Sequence, residues 1–311
     1  MKKLLFSTIS LAALAATSAL AADMPLRKET AVASPPMPVW TGAYVGLNAG
    51  GTWSNNSQIQ TSSYPVFISP DAGINKSTNA EFSDSAITSI TTQMSGGNNL
   101  GFIGGGQIGY NWQFEKSFVA GIETDIQGVA GANSNNAANH NSLNIFGVNN
   151  DHQQVLTSVS GSRNLNYLGT VRGRLGYLIL QNLLAYASGG FAYGGASLQA
   201  NSYQYITSDG VSTIFSTATF PGKSFSGTLL GWTAGAGVEW MFMPSWSARV
   251  EYLYYDLGSA SANISQTVRL EKDSPHWVNS NQAYSRFNGN IVRAGVNYHF
   301  NFASAPVVAK F

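Results

Sequence analysis

The chain has no cysteine, so disulfides, thiolate metal sites and cysteine nucleophiles are excluded. Charge is scarce. Asp, Glu, Lys and Arg make up 10% of the 311 residues, against about a quarter in an ordinary soluble domain. The net charge of +1 offers neither a basic face for nucleic acid nor a polybasic patch for a membrane surface. Beyond the first residues no stretch approaches the run of about 18 apolar residues that a spanning helix needs. His140, His152, His276 and His299 are scattered without metal-ligand spacing. Asp151-His152 lies in a polar stretch with no third partner, and the glycine-rich Gly101–Gly109 lacks the Lys-Ser/Thr of a phosphate loop. The expectation is a protein that is not an enzyme and needs no cofactor or metal.

What is present is alternation. In Asn290–Phe302 every second residue is apolar: Val292, Ala294, Val296, Tyr298, Phe300, Phe302. Between them stand Arg293, Gly295, Asn297, His299 and Asn301. A period of two sends the two sets to opposite faces of a strand. The run exceeds the roughly 9–11 residues a tilted strand needs to cross a bilayer. Seven further stretches read as strands: Gly42–Trp53, Leu100–Phe114, Phe118–Ala130, Leu165–Leu178, Leu183–Leu198, Leu229–Phe242 and Trp246–Leu257.

The connections alternate in length. Glu115-Lys116-Ser117, Gln181-Asn182 and Met243-Pro244-Ser245 are tight turns. Ser54–Asn99, Gly131–Asn164, Gln199–Thr228 and Gly258–Gly289 are long and rich in Ser, Thr, Asn and Gln. Short turns on one side and long loops on the other characterise a bacterial transmembrane barrel. Lipid tolerates no open sheet edge, so the sheet must close. The predicted fold is all-β: an eight-stranded antiparallel up-and-down transmembrane barrel with short periplasmic turns and four long extracellular loops. Residues 1–21 read as a signal peptide, from Lys2-Lys3 through an apolar core to Ala19-Leu20-Ala21. Residues 22–39 are a proline-rich periplasmic linker, 40–302 the barrel and 303–311 a C-terminal extension.

A soluble carrier barrel would alternate too, with its apolar face inward. Three observations favour apolar-out. The polar face carries small residues that a narrow lumen requires, such as Gly121, Gly176, Gly235 and Gly237. Its charges balance, Glu123, Asp125, Glu239 and Glu251 against Arg172, Arg174, Arg249 and Arg293, with no lysine among them. Arginine suits buried pairing because its planar fork meets carboxylates at two points. The Pro244 hairpin sets Glu239 opposite Arg249. Finally, aromatics gather near the short turns as an interfacial girdle: Tyr110, Trp112, Phe114, Phe118, Tyr177, Trp240, Phe242, Trp246, Tyr298 and Phe300. A weaker girdle, Phe102, Trp232, Tyr252 and Tyr254, marks the other side. For the fifth strand a two-residue turn puts Leu184 and Tyr186 outward, and a three-residue turn puts Leu183 and Ala185 outward.

Trp40-Thr41-Gly42-Ala43-Tyr44-Val45-Gly46-Leu47-Asn48-Ala49-Gly50-Gly51 resembles the opening of alphaproteobacterial outer-membrane immunogenic or porin-family proteins. Gly105–Gln113, Gly169–Tyr177, Tyr186–Gly194 and Arg293–Tyr298 are similar to further motifs of that family, in the same order. The resemblance implies an OmpA-like barrel in outer-membrane lipid, built by the outer-membrane assembly machinery, which reads a terminal aromatic. Phe302 and Phe311 are the two candidates for that signal. The main functional expectation is a porin-like structural or surface-antigen protein with at most a narrow charged lumen. The rival is a surface protein whose loops bind haem or a host or matrix ligand, with His140, His152 and His276 in three of those loops.

Overall fold

The computed structural model describes residues 39–55, 57–68, 91–94, 100–131, 134–146, 152–208, 217–221, 224–271 and 274–300. The predicted signal peptide, nearly all of the linker, and the C-terminal stretch with Phe302 and Phe311 lie outside them. The described strands are β1 (Gly42–Ser54), β2 (Ile59–Ile68), β3 (Thr92–Met94), β4 (Gly101–Phe114), β5 (Phe118–Ala130), β6 (Ser134–Phe146), β7 (His152–Leu180), β8 (Leu183–Ser208), β9 (Thr217–Pro221), β10 (Phe225–Met243), β11 (Trp246–Glu271) and β12 (Ser274–Phe300).

Eight of them form a closed antiparallel ring in the order β1, β4, β5, β7, β8, β10, β11, β12. Closure is made by β12 on β1, from Ala43 opposite Phe300 to Ser54 opposite Gly289. Each ring strand thus has a ladder on both sides, and no unpaired edge faces lipid. The expected eight-stranded barrel is what the chain builds.

The four long connections are not plain loops. β7, β8, β11 and β12 run far beyond the expected strand ends, and β2, β3, β6 and β9 lie wholly inside the segments read as loops. β2 pairs with β12, β6 with β7 and β9 with β11. The barrel therefore continues outward on the extracellular side as a β-extension.

Along this tube the polarity of the two faces inverts. In the lower part of β11, Val250 and Tyr252 face out while Arg249 and Glu251 are buried inside. Above Leu253 the inward residues are Leu253, Tyr255, Leu257, Ala260 and Ala262, and the exposed ones are Ser259, Ser261 and Asn263. The same change occurs on β12, from buried Arg293 with outward Val292 to buried Phe287 with exposed Arg286 and Tyr284. The cause is the outer medium. Where lipid surrounds the strands, apolar residues face out at no cost and polar ones pair inside. Where water surrounds them, the sheet needs an apolar face buried against itself. The change needs no shift of parity, since Leu253, Tyr255 and Leu257 follow Arg249 and Glu251 on one side of β11. Bulges lie further along, one between Asp256 and Ser259 on β11 and one between Leu165 and Tyr167 on β7, and they pass the inward set of the upper part to the other parity. Gly258 takes φ +78 in the first of these, a left-handed conformation that glycine adopts without strain.

The fifth expected strand, β8, resolves by another bulge. Gln181-Asn182 is a two-residue turn, with Leu180 opposite Leu183. The register then shifts between Leu178 and Leu180, so Leu178 opposes Leu184 and Tyr177 opposes Ala185. Leu184 and Tyr186 are buried inside. The extra residue, Ile179, reverses the face that the turn length alone implies.

Candidate functional site

The lumen is the part of the molecule where chemistry concentrates, and it is layered. Its middle layer holds all eight charges singled out above. Arg172 lies at its centre, bonding Glu123 at 2.5 Å, Asp125 at 3.0 Å and Glu251 at 2.7 Å, with Thr170 and Ser188 each accepting at 3.0 Å. Arg293 donates to Glu251 at 2.6 Å and to Asp125 at 2.8 Å. Arg249 grips Glu123 with both terminal nitrogens. Arg174 donates to Glu239 at 2.7 Å and to the Tyr44 hydroxyl at 3.1 Å, and lies 4.6 Å from the Tyr186 ring centroid. The Tyr44 hydroxyl in turn donates to Glu123 at 2.6 Å. Glu239 also accepts from Ser247 at 2.5 Å and Asn297 at 2.7 Å, with His299 Nε2 at 3.4 Å.

These groups are almost wholly shielded from solvent. A buried ion is tolerated only where partners replace its water, and here each carboxylate meets at least one guanidinium within 3.0 Å. One pairing differs from the sequence-based one. Glu239 and Arg249 do stand opposite each other in the β10–β11 register. Their closest ionic partners are nevertheless elsewhere: Arg249 reaches Glu123 on β5, and Glu239 takes Arg174 on β7. Long arginines span a narrow lumen, so the partner across the tube competes with the neighbour on the ladder.

Both ends of the charged layer are covered by apolar side chains. On the periplasmic side Trp40, Val119, Leu178, Leu184, Tyr186 and Met241 form a cap. Trp40 is fully buried. Its indole N–H donates to the Gln181 carbonyl at 3.0 Å, and its ring meets that of His299 edge-on at 5.9 Å. On the extracellular side Ile103, Leu168, Leu253, Ile291, Leu257 and Phe287 belong to one apolar cluster, which Ile59 of β2 and Met94 of β3 join. Crowding extends to the backbone: at Gly50 a Cβ would stand where the Arg293 main chain packs. That is why the glycines of Gly42-Ala43-Tyr44-Val45-Gly46-Leu47-Asn48-Ala49-Gly50 recur on the inward face.

Tyr44, Ser247, Trp40 and the apolar half of the lumen were not among the predicted site residues. Tyr44 was detectable by parity, since it shares the inward face with Gly46, Asn48 and Gly50. Trp40 carried no such signal because it precedes the strand. Outside the tube, all ten aromatics near the short turns are exposed on the outer wall. Several touch: Tyr110 and Trp112 have ring centroids 4.7 Å apart, Phe118 and Tyr177 5.3 Å, Trp246 and Tyr298 5.1 Å, Tyr298 and Phe300 5.1 Å. Phe102, Trp232 and Tyr252 are exposed toward the other side. His140, His152 and His276 sit on β6, β7 and β12 rather than on loops, and their side chains lie outside the described ones. His299, by contrast, is buried in the lumen. Among the described residues no group of His, Asp and Glu is arranged to hold a metal ion.

The profile of the outer membrane protein beta-barrel domain matches residues 9–300, nearly the whole chain. The chain belongs to that family. It is therefore a barrel of the bacterial outer membrane. It is similar to the 31 kDa outer-membrane immunogenic proteins of Brucella melitensis biotype 1 and Brucella suis biovar 1. Each is 32% identical over 293 residues, 94% of this chain and 97% of the relative. Among solved structures, the outer membrane protein OprG from Pseudomonas aeruginosa aligns over 85% of this chain and 99% of its own. That alignment has 8% identity and a TM-score of 0.37, too low to carry weight.

Proposed function

We propose that this outer-membrane barrel is a structural, surface-displayed protein whose lumen is closed to solutes, rather than a conducting porin or an enzyme. One observation carries the reading: the tube is filled at every level, from Trp40 through the eight paired charges to Phe287. An eight-stranded barrel has an interior that side chains just fill, and the described inward positions of this one carry packed apolar groups and polar ones that mostly find partners, Asn111 being an exception. A selectivity filter needs charges that can exchange partners with a passing ion. Arg172, held by three carboxylates, is poorly suited to that. The β-extension is then the part that meets the outside, in keeping with relatives named for their immunogenicity.

In the same reading the turn-side aromatics fix the depth of the barrel in lipid, and either Phe302 or Phe311 is the aromatic read by the assembly machinery. Liposome swelling tests the lumen directly. Proteoliposomes of the folded protein should swell in arabinose no faster than empty liposomes. Rapid swelling would defeat the proposal.

A further inference from the structure

Of the largest fully buried side chains described, Trp40 alone lies outside a strand. It precedes both ladders of β1, which begin at Ala43 against β12 and at Gly42 against β4. Gly42 makes the bend from the mouth of the tube into β1. Its φ of 144 favours glycine, and a Cβ there would stand 2.8 Å from the Phe300 carbonyl oxygen. Side chains of other elements hold the short strap before that bend. The Trp40 N–H donates to the Gln113 side-chain oxygen at 3.3 Å, and the Gln113 N–H donates to the Thr41 hydroxyl at 2.9 Å, both on β4. The indole N–H crosses the mouth to the Gln181 carbonyl, in the turn between β7 and β8 on the far side of the ring from β1. The indole also meets His299 of β12, and it clusters with Val119 of β5, Leu178 of β7, Leu184 of β8 and Met241 of β10.

We propose that Trp40 is a latch, which docks after the ring has closed and then holds the seam between β1 and β12 shut. The order follows from what builds its pocket. The walls come from β4, β5, β7, β8, β10 and β12, and the seam joins the first and last ring strands of the sequence. The complete pocket exists only once those two strands have met. The hold follows from the same geometry. Parting β1 from β12 carries Trp40 away from His299 and from the Gln181 carbonyl, and returns a fully buried indole to water. A contact made after the transition state for closure slows opening and leaves the rate of closing alone.

The test times folding of the full-length protein from urea into lipid vesicles, and its unfolding in guanidinium chloride, by the heat-modifiable gel migration of the closed barrel. Trp40→Ala should speed unfolding about a hundredfold, as loss of a buried tryptophan side chain allows, and change the folding rate less than about twofold. Trp40→Phe keeps a ring but loses the bond to Gln181, and should speed unfolding about tenfold. Amide hydrogen exchange of the folded Trp40→Ala variant should rise at least about tenfold along the β1–β12 ladder near the mouth, with the β5–β7 ladder unchanged. Folding slowed as much as stability falls, or failure of both variants to fold, would place Trp40 before closure and overturn the proposal. Unchanged unfolding rates would overturn it too. So would exchange that leaves the seam untouched or loosens β5–β7 equally, which would make Trp40 ordinary packing.

Discussion

The lower and upper halves of the lumen are sealed by opposite means. Around Glu123 the seal is ionic and the wall outside it is apolar. Around Phe287 the seal is mainly apolar, with the buried Arg163 guanidinium 4.5 Å from the centroid of that ring, and the outer wall carries serine, asparagine and arginine. One continuous pair of strands, β11 and β12, contributes to both. The comparison shows that a barrel strand has no fixed inside chemistry. The medium outside decides which chemistry fills the inward positions, and one strand serves two media without a break at the crossing: Glu251 and Leu253 share a face of β11.

The two seals should fail differently. Glu123→Leu should have the largest effect, because it leaves Arg249 without its main partner and takes one of three from Arg172 in a dry interior. Breaking a buried pair from one side costs about 3–5 kcal/mol, read from denaturant unfolding of the folded protein by tryptophan fluorescence. Arg293→Leu should act in the same direction but less, since Glu251 and Asp125 keep Arg172. The double replacement Arg174→Leu/Glu239→Leu should cost less than either single change, since removing both partners strands less charge. If the double change costs the sum of the two, Arg174 and Glu239 are not coupled, and the account of the ionic half as a network of mutually dependent pairs fails.

In the apolar half Leu257→Ala should cost about 2–3 kcal/mol through lost burial and the space left behind. That loss should be insensitive to salt and should leave the lower half intact by amide hydrogen exchange. Loosening of the charged layer in the same experiment would show that the halves are one unit. Gly50→Ala should come next, at about 1–3 kcal/mol, because the added methyl group meets the Arg293 main chain. The smallest effect belongs to the periplasmic turn. Glu115 and Lys116 both have positive φ, at 48 and 58. Lys116→Gly should relieve that conformation and raise stability by about 0.5 kcal/mol, net of the greater freedom glycine gives the unfolded chain.

Much of the lower half was legible in the sequence. On β12, Val292, Ala294, Val296, Tyr298 and Phe300 face outward and Arg293, Asn297 and His299 are buried, as strict alternation implies. Glu239 stands opposite Arg249 as expected, although the chain reaches that register by a two-residue turn, Pro244-Ser245, and an extra residue, Phe242. Three things were hidden. Bulges shift parity without changing composition, so Ile179 could reverse β8 unseen. Ion partners across a tube are set by side-chain length and not by ladder position. The upper half was read as loop because, once the phase inverts, its inward residues are often small, such as Ala260, Ala262 and Ala283, and its outward ones are turn-like serines and asparagines. Near the crossing both faces are apolar, and Tyr252-Leu253-Tyr254-Tyr255 loses the alternation on which strand orientation depends.

The most direct test of a closed lumen is electrical. Purified folded protein inserted into a planar lipid bilayer should give no steady open level above the bare membrane across the applied voltages. A large, long-lived and reproducible unitary conductance would mean that ions pass Trp40, the charge layer and the Phe287 core, and would contradict the account.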